Sequence, residues 1–140
     1  MSIWFQPVTL DQVRGLSIGM AKHIGIEFTE IGDDFIRARM PVDERTRQPF
    51  GILHGGASVV LAETLGSTGA ALAIDHARYR CVGQEINANH IRAIQAGFVI
   101  GTARPVHLGR RSHVWEIRIV DEQDRLVCIS RITMAILDIA

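Results

Sequence analysis

Glu63 is the only ionisable residue between His54 and Asp75, in a run otherwise made of Gly, Ala, Ser, Thr, Val, Leu and Ile. A carboxylate in such company is costly unless hydrogen bonds satisfy it or chemistry uses it. Ser67 lies four residues further on, so on a helix the two share a face and could hold a water between them. Just upstream stands Gln48-Pro49-Phe50-Gly51-Ile52-Leu53-His54-Gly55-Gly56. The glycine pair lets the chain turn sharply and lets a ligand approach the backbone. The first N–H groups of a helix starting there have no internal partner and carry partial positive charge. They would polarise a carbonyl and stabilise an oxyanion. A carboxylate, a histidine and an oxyanion hole suit attack on an acyl carbonyl, by the carboxylate itself or by water it deprotonates. Each residue also has a structural reading: a satisfied carboxylate for Glu63, a helix cap for His54, a loop residue for Gln48, helix packing for Ser67. His54-Gly55-Gly56 directly upstream tips the balance toward function.

Spacing adds a constraint. At about 1.5 Å per residue, Glu63 sits about 12 Å from the helix start. That distance argues against action on a carbonyl held at its own helix N-terminus. Bringing the two halves together needs a second subunit or a fold-back of the chain, and the expectation is a dimer with shared sites.

The elements that must position these residues follow from periodicity. Thr9 can cap a short helix. Residues 26–31 and 35–42 alternate around Gly32-Asp33-Asp34 and read as a hairpin, with Ile26, Phe28, Ile36, Ala38, Met40 and Val42 inward. Residues 43–51 read as a loop, and 55–74 as the long helix. Strands are expected over 80–94, 97–108, 113–121 and 125–137, joined by hairpin-length turns. The whole chain, 1–140, is expected to form one α+β domain, a curved antiparallel sheet wrapped around a central helix.

Bulk properties exclude several classes. Fifteen basic and fifteen acidic residues leave no net charge and no field to draw nucleic acid or an anionic membrane. The helix run is long enough to cross a bilayer, but its central Glu63 and missing aromatic anchors argue against that. Cys81 and Cys128 lie in strand-like stretches and are expected as buried free thiols. With no disulfide framework and no signal peptide at the N-terminus, a cytoplasmic location is expected. The six histidines lack metal-ligand spacing, so no metal is expected.

Three ordered blocks, Gln48–Glu63 with Ser67, Gly83-Gln84-Glu85-Ile86-Asn87-Ala88-Asn89-His90, and His107-Leu108-Gly109, resemble the hotdog-fold acyl-CoA thioesterases. Within that family they are similar to the branch with the 1,4-dihydroxy-2-naphthoyl-CoA and enterobactin-pathway proofreading thioesterases. The likeness spans nearly the whole chain, including Met40-Pro41-Val42-Asp43 and Ser130-Arg131. It implies a hotdog fold, a homodimer assembling into a homotetramer, and no cofactor, coenzyme A being part of the substrate. It implies that Glu63 attacks the thioester or activates water. Gln48 and the Gly55 N–H would hold the carbonyl, His54 would assist at the leaving thiolate, and Ser67 would position water. Gln48, His54 and Gly55 would come from the opposite subunit to Glu63 and Ser67.

The resemblance extends the substrate contacts to Val82, Gly83, His90, Arg92, His107, Gly109, Arg110 and Arg111, with Thr68 at the acyl pocket. The residues themselves carry a trace of this. The even positions Val82, Gln84, Ile86, Ala88, His90 and Arg92 read as one strand face that turns from apolar to basic. Arg110 and Arg111 add guanidinium groups suited to phosphate. The substrate is expected to be an acyl-CoA or an acyl-carrier-protein thioester. A hotdog dehydratase or hydratase and a non-catalytic acyl-CoA-binding module are the alternatives.

Overall fold

In the computed structural model, which describes residues 1–139, the elements follow in the order α1 (Leu10–Arg14), α2 (Gly19–His23), β1 (Glu27–Ile31), β2 (Ile36–Pro41), α3 (Gly55–Leu72), β3 (Tyr79–His90), β4 (Phe98–Leu108), β5 (Ser112–Val120) and β6 (Leu126–Asp138). The strands form one sheet in the order β1-β2-β4-β5-β6-β3, antiparallel throughout. The helix α3 packs on one face and touches β2, β3, β4, β5 and β6. This is the expected α+β arrangement.

The alternation read from the sequence is what buries the core. Phe28, Ile36, Ala38 and Met40 of the first hairpin are fully buried, as are Trp115, Ile117 and Ile119 of β5. They meet Leu61 and Leu65 of α3 and Ile132 of β6 in one apolar cluster. Contact is close because α3 presents glycine where the sheet rises to meet it. A β-carbon on Gly66 would collide with Ile132, and one on Gly69 would lie 2.8 Å from the Trp115 ring. The outer face is charged, with Arg39 paired to Glu27 at 3.1 Å and Arg104 to Asp34 at 2.8 Å.

Thr9 caps α1 as expected, in a reciprocal pair with Gln12. Four details differ from the sequence reading. The short helix α2 carries no periodic signal and was not expected. The helix α3 stops at Leu72, whose carbonyl accepts the Phe5 N–H at 2.9 Å. The strand β3 ends at His90 rather than at residue 94, because the next two N–H groups, of Ile91 and Arg92, both turn to the Val127 carbonyl. Both cysteines are free, but only Cys128 is buried; Cys81 is half-buried.

A further correction concerns the even-numbered face of β3. A bulge at Gln84 shifts the register between Gly83, paired with Met134, and Glu85, paired with Thr133. One extra residue reverses the facing of everything beyond it. Tyr79 and Cys81 are therefore half-buried before the bulge, and Ile86 and Ala88 after it. Val82 is 49% exposed and shares no face with His90. No helix among the described residues is long and apolar enough to cross a membrane.

Candidate active site

The loop before α3 is tied down by its own backbone. The His54 N–H donates to the Thr46 carbonyl, and the Leu53 N–H to the Ile94 carbonyl, both at 2.7 Å. The Gln48 N–H donates to the Ile52 carbonyl at 2.9 Å, closing a turn in which Gly51 adopts φ +82°, a left-handed value that favours glycine. The Gln48 side-chain oxygen accepts the Phe50 N–H, and the amide nitrogen donates to no group among the described residues.

His54 is the N-cap of α3. Its Nδ1 accepts the Gly56 N–H at 2.7 Å. An accepting Nδ1 on a neutral ring puts the hydrogen on Nε2, so exposed His54 offers a donor outward. The Gly55 N–H donates to no group among the described residues. It remains one of the orphan donors of a helix start. The His90 ring stands over Gly55, with Nε2 2.7 Å from where a β-carbon would be. Gln48, Gly55, His90 and Arg92 thus line one open pocket of about 320 Å³. Its remaining wall includes Ser58, Ile91, Ala93 and Val127. The sequence reading missed these four, because they come together only where β3 ends at His90.

Glu63 lies elsewhere on the chain. Its carboxylate is half-buried against Gly83, within 3.0 Å of where a β-carbon on that residue would be. It has no hydrogen-bond or ion-pair partner among the described residues. Ser67, four residues on, places its hydroxyl 3.8 Å from the Met134 sulfur. Gly83 and Met134 are cross-strand partners, so Glu63 and Ser67 stand over one rung of the sheet. Thr68 beside them is half-buried.

The expected site residues therefore fall into separate groups on one chain. Gln48, His54, Gly55, His90 and Arg92 gather at the α3 N-terminus. Glu63, Ser67 and Gly83 gather about two helical turns, or about 12 Å, further along. The turn carrying His107, Gly109, Arg110 and Arg111 lies at the other end of β3, where the Ile136 N–H donates to the Arg111 carbonyl at 2.9 Å and Ile136 pairs with Cys81. Arg92, Arg110 and Arg111 make no ion pair among the described residues, unlike the outer-face arginines. Among the described residues, no cluster of His, Cys, Asp or Glu could hold a metal.

Comparison with known proteins adds to this geometry. The profile of the thioesterase superfamily matches residues 50–128. The chain is 51% identical to the 1,4-dihydroxy-2-naphthoyl-CoA hydrolase of Escherichia coli over 136 residues, covering 96% of the chain and 99% of the relative. It is 52% identical to the proofreading thioesterase EntH of Cronobacter sakazakii, covering 96% of the chain and 98% of the relative. Among solved structures, a thioesterase of Pseudomonas aeruginosa, crystallised as a glutamine-to-alanine variant, superposes with a TM-score of 0.95. Its identity is 46%, over 99% of this chain and 100% of that one.

Proposed function

From the premise that the chain belongs to the thioesterase superfamily and is a thioester hydrolase, we propose that it cleaves acyl-CoA thioesters with aromatic or medium-chain acyl groups to free acid and coenzyme A. The aromatic acyl-CoA in the name of the Escherichia coli relative supports this substrate class. Acyl-carrier-protein thioesters are the second donor to test.

In this reading the site is shared between two copies of the chain. Glu63 and Ser67 come from one subunit; Gln48, His54 and Gly55 come from the other. The Gln48 amide and the free Gly55 N–H hold the thioester oxygen and take up the charge that develops there. His54, as a donor through Nε2, meets the departing thiolate. Glu63 either adds to the thioester carbon, giving an anhydride that water splits, or deprotonates the water that adds. Thr68 borders the acyl group. Coenzyme A is part of the substrate, and no cofactor or metal is invoked.

One observation carries the reading: Glu63 is a half-buried carboxylate with no hydrogen-bond or ion-pair partner among the described residues, about 12 Å along α3 from the free donors at the helix N-terminus. The topology supplies a way to join them. The strand β3 is an edge strand, paired on one side only. Antiparallel pairing of two such edges would continue the sheet and set the His90 end of one beside the Tyr79 end of the other. It would also bring the unpaired guanidinium groups of Arg110 and Arg111 toward His90 and Arg92, where phosphates suit them. The assembly proposed is this homodimer, paired again into a homotetramer, in the cytoplasm.

The test is free-thiol release from benzoyl-, naphthoyl- and straight-chain acyl-CoA by the parent protein, Glu63→Ala and Glu63→Gln. Loss of release in both variants, with folding kept, is the expected result. Unchanged release would end the assignment of Glu63. One turnover in isotopically labelled water, followed by mass analysis of Glu63, separates the two chemical routes: label in the carboxylate marks the anhydride.

A further inference from the structure

We propose that Gly83 is a positioning residue for Glu63, because its missing side chain leaves the carboxylate a seat on the β3 backbone, and the bulge at Gln84 keeps that seat on the same strand face as His90. The proposal rests on the reading of Glu63 as the reacting carboxylate.

The argument begins with what holds Glu63. A glutamate has three rotatable bonds, and this one makes no hydrogen bond or ion pair among the described residues. Its direction must therefore come from packing. Its Oε2 lies within 3.0 Å of the point a β-carbon on residue 83 would occupy, and the Ile132 Cδ1 is 3.8 Å from the same point. The carboxylate occupies the volume that any other residue type at 83 would fill.

Backbone conformation does not ask for glycine there. The glycines with positive φ are Gly19, Gly25, Gly51 and Gly97. Glycine inside a strand weakens it, and close approach of another group is a common reason to find one. Here the approaching group is the Glu63 carboxylate. It is the far end of a flexible side chain, so an added methyl would displace the carboxylate while sparing the fold.

Parity supplies the second part. Gly83 faces Glu63, and His90 faces Gly55. The two positions are an odd number of residues apart, so in a regular strand they would face opposite ways. The single extra residue at Gln84 restores them to one face. The bulge thereby lets one strand serve both the carboxylate and the helix N-terminus.

The test is Gly83→Ala in the parent and in a Glu63→Asp background, with kcat, KM and melting temperature measured on an acyl-CoA the parent hydrolyses. Gly83→Ala should melt within about 3 °C of the parent, as a surface change does. Its kcat should fall by about 100-fold, the scale of a 1 Å misplacement, with KM within about threefold. Aspartate is one methylene shorter and stops short of the new methyl. In that background Gly83→Ala should lower kcat by less than about threefold, the non-additivity expected of neighbours that act together. An unchanged kcat would overturn the proposal. So would equal losses in both backgrounds, a raised KM at constant kcat, or a crystal structure of Gly83→Ala with the carboxylate unmoved. Failure of Gly83→Ala to fold would also overturn it, by making the glycine structural. Full activity of Glu63→Gln would instead remove the underlying reading, whatever residue 83 does.

Discussion

The imidazole of His90 occupies the space directly over Gly55, its Nε2 2.7 Å from where a β-carbon on Gly55 would lie. A strand end and a helix start are thus fitted to each other with no side chain between them. In Gly55→Ala the added methyl should push the exposed His90 ring aside and tilt the first N–H of α3. Melting temperature should change little, because the displaced ring is at the surface. Thiol release should fall by about 10² to 10³, the usual loss when one oxyanion donor is removed. Steady-state kinetics beside a thermal melt would check this.

His113 predicts a pH effect. It is 4% exposed, and its Nδ1 has no partner among the described residues. Burial, and secondarily the nearby His107, holds its pKa below the ordinary value of 6.5. Once the pH drops below that value, the unfolded chain takes up a proton that the folded chain refuses. Stability should therefore fall as the pH moves from about 7 toward about 5. In His113→Gln that slope should be shallower, as read from melting temperatures across the range.

Gly69 predicts an overpacking cost. Alanine would favour the helix by about 1 kcal/mol. The new β-carbon, however, would lie 2.8 Å from the ring of Trp115, which is fully buried and stacks on Trp4. Overpacking of this kind costs about 1–3 kcal/mol. Gly69→Ala should therefore lower the urea midpoint. A rise would mean that the Trp pair yields.

Asp121 predicts acid sensitivity. Its Oδ1 accepts the Gln123 and Arg125 N–H groups at 2.9 Å, and its Oδ2 accepts the Arg125 Nε at 2.7 Å. Burial alone would raise its pKa, but these bonds outweigh burial and hold it below the usual 3.8. The stabilisation is therefore present above the usual carboxylate value and is lost as the pH falls through the lowered one. Asp121→Asn should melt lower than the parent at neutral pH, and the gap should narrow as the pH falls below the usual carboxylate range.

Much of this arrangement was legible in the residues, for identifiable reasons. Glu63 stood out because a lone charge in an apolar helix has few bland explanations. The faces of β2 and β5 were readable because Ile36, Ala38 and Met40, like Trp115, Ile117 and Ile119, alternate without interruption. The face of β3 was misread because a bulge leaves no mark in composition: Gln84 looks like any strand residue. The end of β3 was misread because Ile91 and Arg92 both donate to the single Val127 carbonyl of β6, which breaks the alternation of the ladder there. The role of Gly83 could not be seen until the structure set Glu63 against it.

The glycines of α3 also bear on how the chain folds. Gly66 and Gly69 in its interior make this a poorer helix in isolation, each disfavoured by about 1 kcal/mol relative to alanine. Both gain their compensation from Ile132 and Trp115, on strands made later in the chain. The helix cannot act as an early nucleus under those terms. It must consolidate together with the sheet that encloses it, through contacts distant in sequence, which places this chain among the slower folders of its size.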